Sequence, residues 1–336
     1  MSTFEPSSEQ LQRELRASTT RSLSSRRPIL THLNADTTWL LSVPYPSPST
    51  KQYFHILIDP WLRGPQSDVA AFFSTQWHTI PSAVQSIAEI EEAIRDIEAV
   101  AVGKQTASEK NDVGIDAVVV SHEFTDHMHE LTLREIASSV PVFATTKAAA
   151  LIRSWRHFEA VFEIPRFAGE WRDTSCEPLP LWLGIGRLAV GQDMLYYHSG
   201  ILITFQSQVT DGDVAEAVIY TPHGISPELA LPVAAAAPRI RTLGLLHGLQ
   251  DITLGAQLNM GAHNGLRVQR IINAKYWVGT HDEVKRGGGL VSWWLKRKAI
   301  TLQEALEKEA DERQDEGVLA DVNFEQLGNG ESLILE

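Results

Sequence analysis

Apolar residues at alternating or continuous positions predict strands in the first part of the chain. Two such runs, at 37–43 and 53–60, are separated by a Pro- and Ser-rich turn and predict a hairpin. A third run, 118–120, leads into a polar loop. Between the hairpin and this loop, residues 76–112 carry apolar positions at three- and four-residue spacing, which predicts an amphipathic helical insertion that can begin near Pro81.

Strand and helix patterns alternate along the rest of the chain. Helices are predicted at 131–138, 147–156, 261–274 and 303–313, and strands at 140–144, 194–205, 217–221, 242–246 and 275–282. The organisation expected from these patterns is a flexible segment at 1–28, one domain at 29–300, and a C-terminal helix and tail at 301–336.

Composition narrows the class of protein. A chain of 336 residues with 43% hydrophobic content can bury a substantial core. The formal charge of −13 argues against binding to nucleic acid, which needs clustered Lys and Arg. A single cysteine, Cys176, excludes an internal disulfide and fits a reducing, cytoplasmic location. No apolar run approaches the roughly 20 residues of a membrane span.

The loop after the third strand carries the most informative chemistry. It places His122, Asp126 and His127 within six residues at the end of an apolar strand. Imidazole and carboxylate groups bind Zn²⁺, Fe and Mn, and a strand end is a rigid support for them. Three ionisable groups at this position are otherwise hard to bury, although Asp126 could instead cap the following helix or orient an imidazole.

This loop, His122-Glu-Phe124-Thr-Asp126-His127, resembles the H-x-H-x-D-H signature of the metallo-β-lactamase superfamily, with Phe124 in place of the middle histidine. The resemblance extends over about residues 30–300. Within the superfamily, the chain is similar to the branch of lactonase-like and phospholipase D-like hydrolases. The resemblance implies an α/β fold, an αββα sandwich with the metal at one sheet edge. It also implies that Asp59 supports the metal site through contacts with the ligands rather than by binding the ion.

The same resemblance suggests further ligands. His281 follows a strand near the C-terminus, as the last histidine of the family does, and His198 resembles the mid-chain histidine. His223 stands where the family has a bridging Asp, and an imidazole cannot bridge two ions. One ion is therefore favoured over two, with Zn²⁺ expected and Fe or Mn as alternatives. His198 and His223 could also be ordinary turn residues.

Other residues are assigned roles around this site. Asp126 or Asp282 would carry the proton, and Asp282 could also be a partner of a ligand. Lys285 belongs to a basic Gly-rich loop that could hold a substrate anion. Candidate substrate-pocket residues are Phe124, Trp77, His78, His247 and His263, which core packing could explain equally well.

The function expected from the resemblance is hydrolysis of a small molecule, in which metal-bound hydroxide attacks a lactone, ester, thioester or amide. One alternative is a degenerate domain that binds a ligand without turnover. A second is non-hydrolytic chemistry, as in a lyase or oxygenase, because a His-rich mononuclear site can also hold iron. The oligomeric state is left open by the sequence.

Overall fold

In a computed structural model of the protein, the described residues are 13, 17, 20, 26–47, 49–67, 75–102, 113–189, 198–207, 213–288, 296–313 and 321–336. Among them, the helices are α1 (Ile87–Ala101), α2 (Glu130–Leu133), α3 (Thr146–Ser154), α4 (Leu231–Ala234), α5 (Ala262–Ile272) and α6 (Leu302–Arg313). None of these helices combines the length and the apolar character that crossing a membrane requires.

Two large sheets form the centre of the molecule. The first has the order β18-β1-β2-β3-β5-β6-β7 and the second the order β17-β14-β11-β10-β9-β8. The strands of the first sheet are β1 (Ile29–His32), β2 (Trp39–Pro44), β3 (Tyr53–Ile58), β5 (Ala117–Val120), β6 (Val142–Ala144), β7 (Val161–Glu163) and β18 (Ser332–Ile334). Those of the second are β8 (Leu183–Leu188), β9 (Gly200–Phe205), β10 (Ala215–Thr221), β11 (Ile240–His247), β14 (Tyr276–Val278) and β17 (Phe324–Glu325).

Two small sheets lie outside this pair. One has the order β13-β12-β16 and consists of β12 (Asp251–Leu254), β13 (Ala256–Asn259) and β16 (Lys296–Lys298). The other pairs β4 (Thr75–Trp77) with β15 (Arg286–Gly288). The β4–β15 pair joins the start of the predicted insertion to the segment that follows His281.

Alternation along the strands explains how the layers pack. In β5, Val118 and Val120 face a core shared with α1 and α3, whereas Ala117 and Val119 face a core shared with the second sheet. A third core lies on the outer face of the second sheet, beneath α5. Helix, sheet, sheet and helix layers therefore follow one another, which confirms the predicted αββα sandwich.

Helix α1 is the insertion predicted between the hairpin and the metal loop. It begins at Ile87 rather than near Pro81, because Ser86 is the N-cap residue and its side chain accepts a hydrogen bond from the backbone N–H of Glu89. Ser82 instead donates its hydroxyl to a backbone carbonyl at 2.7 Å. The helix is present at 87–101, whereas the prediction is wrong for 76–86, where residues 76–77 belong to β4. Residues 103–112 lie outside the described residues.

Most other predicted elements are present with shifted ends. The helix predicted at 131–138 is the single-turn α2, and the strand predicted at 194–205 is described only from Gly200, since 190–197 lies outside the described residues. The hairpin, β6, β10, β11 and the helices α3, α5 and α6 follow the prediction closely.

Both ends of the described chain take part in the sandwich. Arg27, within the segment expected to be flexible, is buried and donates to Glu216 of β10 at 2.8 Å. The expected C-terminal tail supplies β17 and β18, which form an edge strand of each large sheet. These strands are only two and three residues long, too short for an apolar period to distinguish them from the surrounding tail.

Candidate metal centre

Polar loops from both sheets meet at one edge of the sandwich. The loop after β5 carries His127, the loop after β10 carries His223, and the segment after β14 carries His281. Among the described residues, these three histidines form a buried group whose ligand atoms all lie within 4.8 Å of one another. A second group of the same kind contains Asp36, Asp126 and His281. Either donor set could hold a metal ion.

In two of these histidines, the ring nitrogen that faces away from the other imidazoles is hydrogen-bonded to another residue. Nδ1 of His127 lies 2.7 Å from Oδ2 of Asp59, and Nδ1 of His223 lies 2.9 Å from Oδ1 of Asn259. Since both partners accept hydrogen bonds, each ring carries its proton on Nδ1 and presents the lone pair of Nε2 to the centre. The two Nε2 atoms are 3.0 Å apart.

His281 is held in the same way by a carboxylate. Its Nδ1 lies 3.0 Å from Oδ1 of Asp36, and its backbone N–H donates to the Asp36 carbonyl at 2.9 Å. The residue has a φ of 56°, a left-handed conformation that these contacts must stabilise. The Nε2 of His281 is thereby turned toward the other two imidazoles.

These three imidazoles fit a metal ion. Facing lone pairs at the His127–His223 distance repel one another unless a proton or a cation lies between them, and tetrahedral ligands of Zn²⁺ are about 3.3 Å apart when each bond is about 2.05 Å. Each imidazole also has the hydrogen-bonded partner behind it that metal-ligating histidines normally have.

The pKa values describe how these groups share protons when no ion is bound. Burial lowers the pKa of His127, but the nearby Asp126 and Asp59 carboxylates outweigh it and leave the pKa above its usual value. Burial lowers the pKa of His223 well below its usual value, and the neighbouring His127 lowers it further. A proton between the two rings therefore belongs to His127, and Nε2 of His223 keeps its lone pair.

Asp126 and Lys285 complete the charged surroundings. Oδ1 of Asp126 is 3.7 Å from Nε2 of His127, so this carboxylate adjoins the imidazole group. Its Oδ2 accepts a hydrogen bond from Nζ of Lys285 at 2.7 Å, and the same Nζ lies 2.6 Å from Oδ2 of Asp36. Burial raises the pKa of Asp126, but Lys285 and the histidines hold it well below the usual range.

His122 and Phe124 pack beside the three imidazoles. The Phe124 ring stacks on His122 with centroids 4.6 Å apart and meets the edge of the His223 ring at 6.0 Å. His122 is buried, with its ring centroid 5.0 Å from that of His223, but its nitrogens belong to neither group of potential ligands. Phe124 therefore forms an aromatic wall beside the imidazoles.

Two other predicted site residues are turned toward the backbone. The ring nitrogens of His198 lie 3.1 Å from the carbonyl oxygen of His223 and 3.2 Å from that of Gln257, and His198 belongs to neither group of potential ligands. The Asp282 carboxylate accepts hydrogen bonds from the backbone N–H groups of Leu249 and Gln250, and burial raises its pKa to about 6. Asp282 thus orders a loop, and its described contacts do not include the imidazoles.

The predicted pocket residues fall into two sets. Trp77 and His78 lie beside the loop after His281, where His78 stacks on Trp61 and its Nδ1 lies 2.7 Å from a Glu283 oxygen. His247 and His263 are held elsewhere. His247 is buried against Gly248 and Asn264, and His263 lines a small groove between α5 and α6.

Sequence reasoning missed Asp36 and assigned Lys285 wrongly. Lys285 was expected in a flexible loop open to substrate, yet its side chain is only 4% exposed and paired with two carboxylates. Asp36 lies in the turn between β1 and β2, where an isolated Asp gives no local signal. Only the pairing of charges between distant loops could have revealed both.

Two solved structures with TM-scores of 0.50 or more support the fold. No family model and no curated protein matches the chain. Among solved structures, an isothiocyanate hydrolase from Delia radicum gut bacteria has a TM-score of 0.52 at 15% identity, covering 91% of this chain and 99% of that one. A possible metal-dependent hydrolase from Veillonella parvula has a TM-score of 0.50 at 13% identity, covering 92% and 100%. The metallo-beta-lactamase fold protein YhfI from Bacillus subtilis has a TM-score of 0.46 at 12% identity, covering 91% and 99%.

Proposed function

We propose that this chain, an αββα sandwich of the metallo-β-lactamase type, is a metal-dependent hydrolase with one metal ion held by His127, His223 and His281. The convergence of three buried Nε2 atoms from three separate loops carries the proposal. Asp126 adjoins these nitrogens through Oδ1 and is the candidate fourth ligand or proton acceptor. Zn²⁺ suits this donor set, and Fe or Mn would also be accepted.

A bound divalent ion at this position supplies Lewis acidity, which lowers the pKa of water and polarises a carbonyl group. Residues of the chain orient the imidazoles and provide a carboxylate beside them. Asp59, Asn259 and Asp36 fix the three imidazoles in the ligating tautomer. Lys285 keeps Asp126 ionised and lowers its basicity, so this carboxylate can accept a hydrogen bond near the imidazoles and pass a proton on rather than keep it. We propose a small lactone, ester, thioester or amide as substrate.

His122 and Phe124 are proposed to line the substrate side of the centre. The stacked pair lies against His223, so a substrate that approaches this edge would meet an apolar ring rather than another ligand. The sequence-based hypothesis was that a subset of six residues holds one ion, and the present proposal selects three of them. The six are His122, Asp126, His127, His198, His223 and His281. The specificity implied is for a substrate with an apolar group beside its carbonyl.

The proposal is tested by the metal content of protein purified without added metal, measured by plasma mass spectrometry, and by hydrolysis of a panel of lactones and esters. About one ion per chain, lost in His223→Ala and His281→Ala and retained in His247→Ala, is expected. Retention of the metal in both ligand variants would overturn the ligand assignment. If the wild type stays free of metal even after incubation with Zn²⁺, the hydrolase proposal is wrong, and the alternative of a domain that binds a ligand without turnover remains. Bound iron without hydrolysis would favour non-hydrolytic chemistry.

A further inference from the structure

Lys285 occupies a place that is unusual for a lysine. Its side chain is 4% exposed, and Nζ lies 2.6 Å from Oδ2 of Asp36 and 2.7 Å from Oδ2 of Asp126. These two carboxylates and His281 are also the second group of side chains that could hold a metal ion. The ammonium thus lies between the two carboxylates of this group.

The charges around the imidazoles also bear on how many ions the centre can take. Asp36, Asp59 and Asp126 are all buried, and all are hydrogen-bonded within the same group of side chains. Three carboxylates and one ammonium leave two negative charges, which a single divalent ion neutralises when the histidines are neutral. A second divalent ion would leave the buried centre with two uncompensated positive charges, which is costly at low dielectric.

The segment after His281 holds the ammonium in this position. Glu283 accepts hydrogen bonds from the Thr79 backbone N–H at 2.7 Å, and Nδ1 of His78 is 2.7 Å from its other oxygen. Arg286 then begins β15, which pairs with β4. Lys285 Nζ also lies 5.4 Å from the centre of the Trp61 ring, a cation–π distance. The contacts of Glu283 and the pairing of β15 with β4 therefore fix the chain before and after Lys285.

We propose that Lys285 is a built-in second cation, whose ammonium takes the place of a second metal ion between Asp36 and Asp126 and so limits the centre to one ion. This inference rests on the proposed function, since it concerns the same centre. Lys285 is a positioning residue, because it acts on the carboxylates that adjoin or orient the ligands. Its hydrogen bond at 2.7 Å also fixes Oδ2 of Asp126, while Oδ1 of the same carboxylate lies 3.7 Å from Nε2 of His127.

The test is equilibrium dialysis against excess Zn²⁺ or Co²⁺, with stoichiometry measured by plasma mass spectrometry. Wild type and Lys285→Arg should saturate at about one ion per chain, and Lys285→Met, in which two carboxylates lose their cation, should rise to about two. The double variant Lys285→Met/Asp36→Asn removes one negative charge together with the ammonium and should stay at about one. Co²⁺-loaded Lys285→Met should show the electron paramagnetic resonance signal of two coupled ions, which wild type lacks.

Two ions in the wild type, or one ion in a folded Lys285→Met variant, would overturn the role of Lys285 while leaving a metal-dependent hydrolase intact. No ion in the wild type would instead overturn the proposed function. If Lys285→Met does not fold, as judged by circular dichroism, the wild-type stoichiometry and the Co²⁺ spectrum at excess metal still decide the question. A coupled spectrum in the wild type would contradict the proposal.

Discussion

The Asp59 carboxylate joins two parts of the centre: Oδ2 lies 2.7 Å from Nδ1 of His127, and Oδ1 accepts the backbone N–H of Ser121 at 2.7 Å. Asp59 has a φ of 44° at the end of β3, so the turn aims its carboxylate at the loop after β5. It fixes the tautomer of His127 and the start of the loop that carries His127 at the same time.

Replacing this carboxylate should weaken metal binding without removing a ligand. Asp59→Asn is expected to lower the affinity for Zn²⁺ by about 10- to 100-fold, because the amide can present an N–H to His127 and favours the wrong tautomer. Competition with a chromophoric chelator measures this affinity. Asp116→Asn is the control, since Asp116 accepts from the His55 backbone N–H and pairs with Lys51 instead. Equal affinities in the two variants would contradict the role given to Asp59.

His198 should be dispensable for metal binding. Its ring lies between two backbone carbonyls, so His198→Ala is expected to leave the stoichiometry unchanged while reducing the free energy of unfolding by about 1–3 kcal/mol. His223→Ala should abolish binding in the same dialysis experiment. Loss of the ion in folded His198→Ala would restore the ligand role that the sequence suggested.

Gly224 fixes the loop that carries His223. It has a φ of 77°, and a Cβ atom at this position would lie 2.7 Å from Cβ of Met260. Gly224→Ala should therefore destabilise the fold by about 1–3 kcal/mol beyond the cost of its backbone angle and should weaken metal binding. Gly255→Ala is a matched control, since Gly255 has a φ of 71° with nothing within 4 Å of a Cβ. Thermal unfolding of both variants, with similar shifts, would argue against crowding at Gly224.

Glu98 should make the attachment of α1 depend on pH. Burial raises the pKa of this carboxyl, but the His55 side chain and the backbone N–H groups of Gln52 and Tyr53 outweigh it, so the pKa lies below its usual value. A lowered folded-state pKa stabilises the fold above the unfolded pKa, about 4.3, and this contribution is lost as the pH falls through the folded value.

Glu98→Gln should therefore cost about 2 kcal/mol near neutral pH, and less at about pH 4 and below. Urea unfolding at both pH values measures the difference. Glu92→Gln, on the exposed face of the same helix, should cost little at either pH. A cost for Glu98→Gln that does not shrink in acid would contradict the pairing of its carboxylate with these donors.

The sequence predicted those features that depend on local pattern. Apolar runs predicted the buried strands β2 and β5. The short spacing from His122 to His127 predicted the polar loop that carries His127 to the imidazole group. The start of α1 was misplaced because Ser82 and Ser86 are both plausible N-cap residues, and only tertiary contacts decide between them.

Pairings over long sequence distances could not be read from the sequence. Asp36 and Lys285 are far apart along the chain, and neither belongs to a periodic pattern, yet they form a buried ion pair at 2.6 Å. The same holds for His198, whose position beside a strand suggested a ligand although its ring faces backbone carbonyls. In both cases the packing of loops, rather than the identity of the residues, decides the role.

The edge strands β17 and β18 affect the order in which the two sheets can be completed during synthesis. Because β18 pairs with β1 and β17 pairs with β14, the first-formed strand and the strand before His281 both keep an open edge until residues 324–334 have left the ribosome. Open edges favour pairing with other chains, so nascent protein should need protection until synthesis has passed these residues.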